Sequence, residues 1–328
     1  MAEQTLAVPP ARPAALRVIA SRLLGWRYVL VVLLAFGLAG LFTPYFFTAT
    51  NIFNVLRQAS VLALASLGMT LVMLTGGVDL SVGSIVAVAA VTAAAAQPLG
   101  LWPALLLPLL VGAFLGLVNG VLVSKLKIYP FVATLSTMAI FNGLALIYTG
   151  GQYITGVRPE FRPIGTGYVW IVPTPVVIAA LAFALAIFVL RATPYGRNIY
   201  AVGGNKEAAR LSGIAVGFYE VSVYVLSGLL CTLGALILVA RTTVGDPIAG
   251  EGMSLDALAA TVIGGTTFSG GVGGAAHTVA GVLILGVINN MLNLHNVSPY
   301  TQYVFKGAII LGAVFVNEYR ARRRGVDA

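Results

Sequence analysis

Apolar residues in this chain come in long unbroken blocks, unlike the strict alternation of a half-buried strand or the narrow stripe of a surface helix. Ten blocks run from Tyr28 to Phe42, Phe53 to Thr75, Leu80 to Ala96, Leu101 to Val123, Phe131 to Thr149, Val169 to Leu190, Phe218 to Ala240, Leu255 to Gly265, Ala275 to Leu292 and Tyr303 to Val316. A straight helix needs about 20 residues, each rising about 1.5 Å, to cross a ~30 Å hydrocarbon core. Most blocks approach that length, but Leu255 to Gly265 is too short to span as a straight helix. The pattern predicts an all-α, polytopic membrane protein with about ten transmembrane helices, some of them short or broken.

Composition rules out a soluble globular domain. The 328 residues are 59% hydrophobic and 9% charged, where a soluble domain would carry about a quarter charged. A net charge of +9 would in a soluble protein point to nucleic acid, but in a membrane protein topology accounts for it. With the N-terminus inside, the inner segments hold Arg12, Arg17, Arg22 and Arg27; Lys125 and Lys127; Arg191, Arg197, Lys206 and Arg210; and Arg320, Arg322, Arg323 and Arg324. That places 14 of 19 basic residues inside, so the positive-inside rule predicts both ends to be cytoplasmic. No small-x-small cleavage site follows the first block, which reads as a retained anchor. The expected layout is a disordered basic tail over 1–27, a transmembrane domain over 28–317 and a second basic tail over 318–328.

Two glycine-rich interruptions divide the apolar pattern. The first, Thr75-Gly-Gly-Val-Asp79-Leu-Ser81-Val-Gly-Ser84, separates blocks two and three; the second, Gly264-Gly-Thr-Thr-Phe-Ser269-Gly-Gly-Val-Gly-Gly274, follows block eight. Paired breaks of this kind point to a central pathway, because irregular backbone at membrane depth is tolerated where it lines a cavity. Gly116-Leu-Val-Asn119-Gly120 and Gly286-Val-Ile-Asn289-Asn290 resemble each other and fall in oppositely directed segments, as an inverted repeat would. The long inner loop over 191–217 contains Asn205-Lys-Glu-Ala-Ala-Arg-Leu-Ser212-Gly213, a short helix with an Asn cap and a glycine stop. That loop, and the outer segments carrying Glu160, Asp246 and Glu251, are candidate docking surfaces.

The candidate chemistry is sparse. No lysine follows a glycine, so the chain lacks a Walker A loop and any ATP used is hydrolysed elsewhere. Asp79 is the main in-span carboxylate candidate: it either caps the third helix or faces the transport route together with Ser81 and the broken helix. Asn119, Asn142, Asn289, Asn290, Ser136 and Thr137 can hydrogen-bond sugar hydroxyls or neighbouring helices. Lys306 and Arg57 read as side chains that snorkel to the interface. His277, His295 and Cys231 stand alone, which gives no case for a metal, a cofactor or an intrachain disulfide.

Three motifs in order carry a specific resemblance: Gly76-Gly-Val-Asp-Leu-Ser-Val-Gly83, Gly196-Arg-Asn-Ile-Tyr-Ala-Val-Gly-Gly-Asn through Gly213, and Leu255-Asp-Ala-Leu-Ala-Ala through Gly274. From about residue 45 to 318 the chain resembles the permease subunits of bacterial ribose-type ABC importers, a family that includes importers of xylose, arabinose, galactose, inositol and autoinducer-2. The resemblance implies an inner-membrane permease, itself not an enzyme, that moves a monosaccharide. It also implies a second permease copy or a related chain, an ATP-binding subunit and a periplasmic sugar-binding protein as partners, with membrane lipid around it. In that family the loop between spans six and seven carries the coupling helix; the matching positions are Gly203, Gly204, Asn205, Ala208, Ala209, Leu211, Ser212 and Gly213. An ion-coupled secondary sugar carrier is the alternative, and it predicts buried coupling carboxylates, of which only Asp79 is on offer. A passive channel is the third class, and it would need no cytoplasmic coupling element.

Overall fold

A computed structural model describes residues 30–298, 300–309, 311, 312 and 315. Both basic tails, over 1–27 and 318–328, lie outside the described residues, as do their eight arginines. The helices, in chain order, are α1 Leu30–Phe42, α2 Ala49–Leu74, α3 Val82–Ala95, α4 Leu101–Ser124, α5 Pro130–Thr149, α6 Pro163–Thr166, α7 Thr174–Ala192, α8 Pro194–Gly204, α9 Lys206–Leu211, α10 Val216–Thr242, α11 Met253–Ile263, α12 Ala275–Leu294 and α13, helical over 300–309. A two-stranded antiparallel ribbon, β1 Tyr168–Val169 and β2 Val172–Pro173, lies between α6 and α7.

Each of the ten apolar blocks meets a helix. Six helices, α2, α4, α5, α7, α10 and α12, are long and apolar enough to cross a membrane, whereas α3 and α11 have only 14 and 11 residues. At about 1.5 Å per residue those two reach only ~21 and ~17 Å. The chain is therefore an all-α, multi-pass membrane protein whose long helices are supplemented by short apolar ones.

Burial separates a centre from a rim. In α2 and α10 respectively 78% and 67% of the apolar window is buried, against 39% or less in α4, α5, α7 and α12. The rim helices turn Leu110 and Phe114 of α4, Ile147 of α5 and Leu181, Leu185 and Phe188 of α7 outward, as a surface in contact with lipid requires. The two central helices run antiparallel, with Ser227 against Gly68 and Gly234 against Val61. α4 seats on α10 by backbone approach: a Cβ on Gly228 would lie 2.1 Å from the Gly112 oxygen.

α2 is capped by Thr48, whose hydroxyl accepts the Asn51 amide at 3.3 Å. It stops in a Schellman motif, with the Gly76 amide on the Met73 oxygen at 2.9 Å and the Gly77 amide on the Val72 oxygen at 3.2 Å. Gly76 has φ +76°, a left-handed conformation that glycine adopts without strain.

After this break α3 starts inside the bundle, and α11 starts beside it. The Gly83 amide donates to Ser254 Oγ at 3.1 Å, Ser254 Oγ donates to the Leu80 oxygen at 2.6 Å, and Gly250 and Gly83 touch backbone to backbone. From there the two short helices diverge. α3 runs toward Gln97, whose Oε1 accepts the Arg158 amide, while α11 descends along α2, with Thr261 Oγ1 donating to the Ser66 oxygen. Two half-helices thus bring their N-termini together in the interior.

Substituting Val for Gly228 forces its methyl groups into the backbone of α4, an overpacking expected to cost about 3 kcal/mol. Ala at Gly143, where a Cβ meets nothing within 4 Å, is expected to leave the fold unchanged. Thermal unfolding of the two purified variants in detergent, monitored by loss of the monodisperse peak, checks the contrast.

Candidate functional site

Asp79 sits in the break between α2 and α3 and is fully buried. Its Oδ1 accepts from the Ser81 amide at 3.0 Å and the Ser81 hydroxyl at 2.6 Å, and its Oδ2 accepts from Ser227 Oγ at 3.0 Å. The chain of donors extends outward: Asn119 Nδ2 donates to Ser81 Oγ at 2.7 Å, and Thr137 Oγ1 donates to Asn119 Oδ1 at 2.7 Å. Each member hands a proton donor toward the carboxylate, an order that strengthens the whole network. The cap position of α3 is Ser81, not Asp79. Asp79 instead closes an Asx turn on Ser81, because two residues of separation bring its carboxylate to that amide before the helix begins. The break is pinned further by Thr134, whose Oγ1 accepts the Leu80 amide at 3.1 Å, and by Tyr224, which donates to the Val78 oxygen at 3.1 Å.

The loop over 191–217 is more structured than its sequence alone shows. α8 precedes the expected short helix; Thr193 caps it, accepting the Gly196 amide, and Pro194 stands at its first position. That Thr-Pro pair was the signal for α8. Asn205 then caps α9 by accepting the Ala208 amide at 2.9 Å, and Gly213, with φ +80°, ends it in a second Schellman motif through Gly213–Arg210 and Ile214–Ala209 bonds. Gly204, Asn205, Ala208, Leu211, Ser212 and Gly213 are exposed, and Leu211 is 82% exposed. Ala209 faces the other way, into a cluster with Val202 and Val216. A Lys206–Glu220 ion pair at 2.8 Å ties the hairpin to α10.

Gly203 has a different role from its neighbour. A Cβ there would lie 1.8 Å from the Leu74 oxygen and 2.4 Å from the Gly271 nitrogen, whereas one on Gly204 would meet nothing within 4 Å. The Gly271 amide donates to that same Leu74 oxygen at 3.0 Å, and a Cβ on Gly270 would strike the Gly76 nitrogen at 2.7 Å. The end of α8, the end of α2 and the glycine loop between α11 and α12 therefore meet at one backbone-only junction.

The remaining sequence candidates scatter. Asn290 exchanges two hydrogen bonds with Asn51, at 2.8 and 3.0 Å, and so joins α12 to α2. Asn289 lines a cavity between α2, α10, α11 and α12. Asn142 is half-buried on α5, and Ser136 is exposed there. The two halves of the sequence repeat do different work: Asn119 belongs to the Asp79 network and Asn289 does not. Lys306 does not snorkel. Its Nζ donates to Asp256 of α11 at 2.7 Å, with both side chains largely buried, since an ammonium away from water needs a carboxylate at hand. Arg57 hydrogen-bonds the exposed Tyr168 hydroxyl of the β-ribbon, with its guanidinium 4.9 Å from that ring. Asp256 was missed as a site residue because nothing near it in sequence shows that Lys306 will reach it.

Residues 51–314 match the family described as branched-chain amino acid transport system / permease component. The chain is 41% identical over 304 residues to the ribose import permease protein RbsC of Haemophilus influenzae, covering 91% of this chain and 94% of that protein. It is 44% identical over 298 residues to RbsC of Bacillus subtilis, with 90% and 91% covered. It is 37% identical over 303 residues to the L-arabinose transport system permease protein AraH of Escherichia coli, with 91% and 92% covered. No solved structure matches the chain.

Ala at Ser227 removes one of three donors to Asp79 and leaves that buried carboxylate short of a partner, a loss of about 1.5–3 kcal/mol. Ala at the exposed Ser136 serves as the neutral comparison. Melting of the two variants in detergent is expected to show a fall of several degrees for the first and none for the second.

Proposed function

The chain belongs to the branched-chain amino acid transport system / permease component family, and from that membership we propose a membrane-spanning subunit of a bacterial inner-membrane ABC importer that carries a ribose-like monosaccharide inward. Sugar is favoured over amino acid by the relatives: the most similar proteins quoted above are named for ribose and arabinose. The working unit is a pair of permeases, identical or related, with two ATP-binding subunits on the cytoplasmic side and a periplasmic sugar-binding protein on the other. The transmembrane domain covers 28–317, crosses ten times with α3 and α11 as half-spans, and keeps both basic tails in the cytoplasm. Hydrolysis belongs to the partner subunit.

The single observation that carries the mechanism is the contact of Gly203 with Leu74 and Gly271. The exposed face of α9, with Gly204, Asn205, Ala208, Leu211, Ser212 and Gly213, seats in a cleft of the ATP-binding subunit. Ala209 and Gly203 hold the hairpin against the body. When the ATP-binding subunits close, displacement of α9 passes through the rigid hairpin to the ends of α2 and of the α11–α12 loop. Both interruptions therefore receive the push together, and close-packed backbone leaves no slack to absorb it. Asp79, Ser81 and Asn119 then keep the α3 half-helix in register as the pathway changes access.

Reconstitution with and without an ATP-binding subunit and a binding protein tests the reading. Ribose uptake is expected only with both. Uptake by the chain alone under a proton or sodium gradient favours the ion-coupled carrier, and gradient-independent equilibration favours a channel. Trp in place of Gly204 or Ala208, both exposed, is expected to leave the chain folded in the membrane while ATP hydrolysis proceeds with roughly tenfold less ribose delivered, as blocked docking of a rigid element requires. Unchanged uptake in both variants removes the coupling assignment.

A further inference from the structure

We propose that the Asp256–Lys306 ion pair is a positioning pair for translocation: a latch between α11 and α13 that is closed in this structure and must part and re-form in each transport cycle. The proposal rests on the importer reading above and adds a moving contact to it; neither residue is assigned to the sugar.

The pair lies well inside the bundle. Asp256, in the first turn of α11, lines a cavity of about 200 Å³ together with Val55 to Leu62 of α2. Those α2 residues stand 6 to 13 positions after Ala49 and 12 to 19 before Leu74, or ~9–20 Å from one end of the helix and ~18–29 Å from the glycine junction. Only 15% of the Asp256 side chain and 23% of the Lys306 side chain are exposed. Charges at that depth are expensive, and they are kept where they do work. For a permanent attachment, apolar side chains of similar volume serve as well or better, because they carry no desolvation cost. What an ion pair adds is the ability to separate, provided that each charge meets a new partner.

The cavity supplies those partners. Arg241 and Glu251 line it beside Asp256, and neither belongs to an ion pair among the described residues. A released Asp256 carboxylate has the Arg241 guanidinium on the same wall. A released Lys306 ammonium has Glu251, which adjoins Gly252; a Cβ on Gly252 would lie 3.3 Å from the ring of Tyr303, one turn before Lys306. Exchange of partners gives two discrete arrangements, as a switch requires.

The two helices differ in how firmly they are held. Among the described residues, the other side-chain hydrogen bonds of α13 reach only Asn293, Val297 and Ser298, at and just beyond the end of α12. Val304, Phe305 and Leu311 are exposed. Few buried contacts mark an element that moves readily. α11 is pinned instead: Ser254, two residues before Asp256, bridges the Gly83 amide and the Leu80 carbonyl, and the far end of α11 leads through the glycine loop to the Gly271–Leu74 contact. The latch therefore joins a loosely held rim helix to the interior element that continues into the junction.

The test uses the full importer in proteoliposomes: permease, ATP-binding subunit and ribose-loaded binding protein, with the parent chain alongside. Asp256→Leu combined with Lys306→Met keeps α13 attached but removes its release. That variant is expected to melt at or above the parent's temperature in detergent while delivering roughly tenfold less ribose per ATP hydrolysed, the scale of a coupling energy. The exchanged pair, Asp256→Lys with Lys306→Asp, is expected to recover most of the parent's uptake. Undiminished ribose per ATP in the apolar variant, or no recovery in a folded exchanged pair, overturns the proposal. If the apolar variant does not assemble, a covalent link carries the measurement. Asp256→Cys with Lys306→Cys, on a Cys231→Ala background and closed by a bifunctional methanethiosulfonate, is expected to stop uptake until a reductant opens it. Uptake that continues with the link in place overturns the latch. A parent that takes up ribose without ATP removes the importer reading instead, and the link is then read on that uptake.

Discussion

A helix that stops inside an apolar body leaves amides and carbonyls that neither water nor lipid will satisfy, and every distinctive feature of this protein answers that constraint. α3 starts in the interior, and α11 starts beside it with Ser254 buried against the Gly83 amide. The α3 end is answered by Asp79, Thr134 and Ser254, which take up the Ser81, Leu80 and Gly83 amides and the Leu80 carbonyl. The α2 end is answered by two glycines and by the Gly271 amide on the Leu74 oxygen. Thr134, Ser254 and Gly271 come from distant parts of the chain, so satisfying the breaks also fastens the bundle together.

Those two ends are satisfied by different means, with different consequences. The Asp79 network is built from side chains with directional bonds, and it fixes α3 against α4, α5 and α10. The glycine junction is built from backbone alone, and it couples α2, α8 and the α11–α12 loop by contact distance. Side-chain networks hold a register, whereas a backbone contact that admits no methyl group passes on displacement directly.

Much of this was legible in the sequence. Hydrophobic blocks located the helices because span length and apolarity are local properties, and Asn205 with Gly213 marked α9 because caps and Schellman stops are local too. Asp79 drew attention as the carboxylate in the first glycine-rich break, and it is the terminus of a buried network. The meeting of Gly76, Gly203 and Gly271 was not legible, nor was the pairing of Asp256 with Lys306, because each joins positions far apart in sequence. For the same reason the repeat did not foretell side-chain roles: Asn119 and Asn289 share a local motif but meet different neighbours.

The Asp79 geometry also bears on how transport is powered. An ion-coupled carrier needs a carboxylate with a free face on which the ion lands and from which it leaves. Both Asp79 oxygens are already engaged, by Ser81 and Ser227, and the residue is sealed from the cavity that Asn289 lines. Asp256, the other buried carboxylate near that cavity, is held by Lys306 within the same chain. With both committed to partners within the chain, neither offers an ion a free face, which favours the proposed reading in which work enters from a partner subunit through α9, a short helix capped by Asn205, stopped at Gly213 and backed by an ion pair to α10.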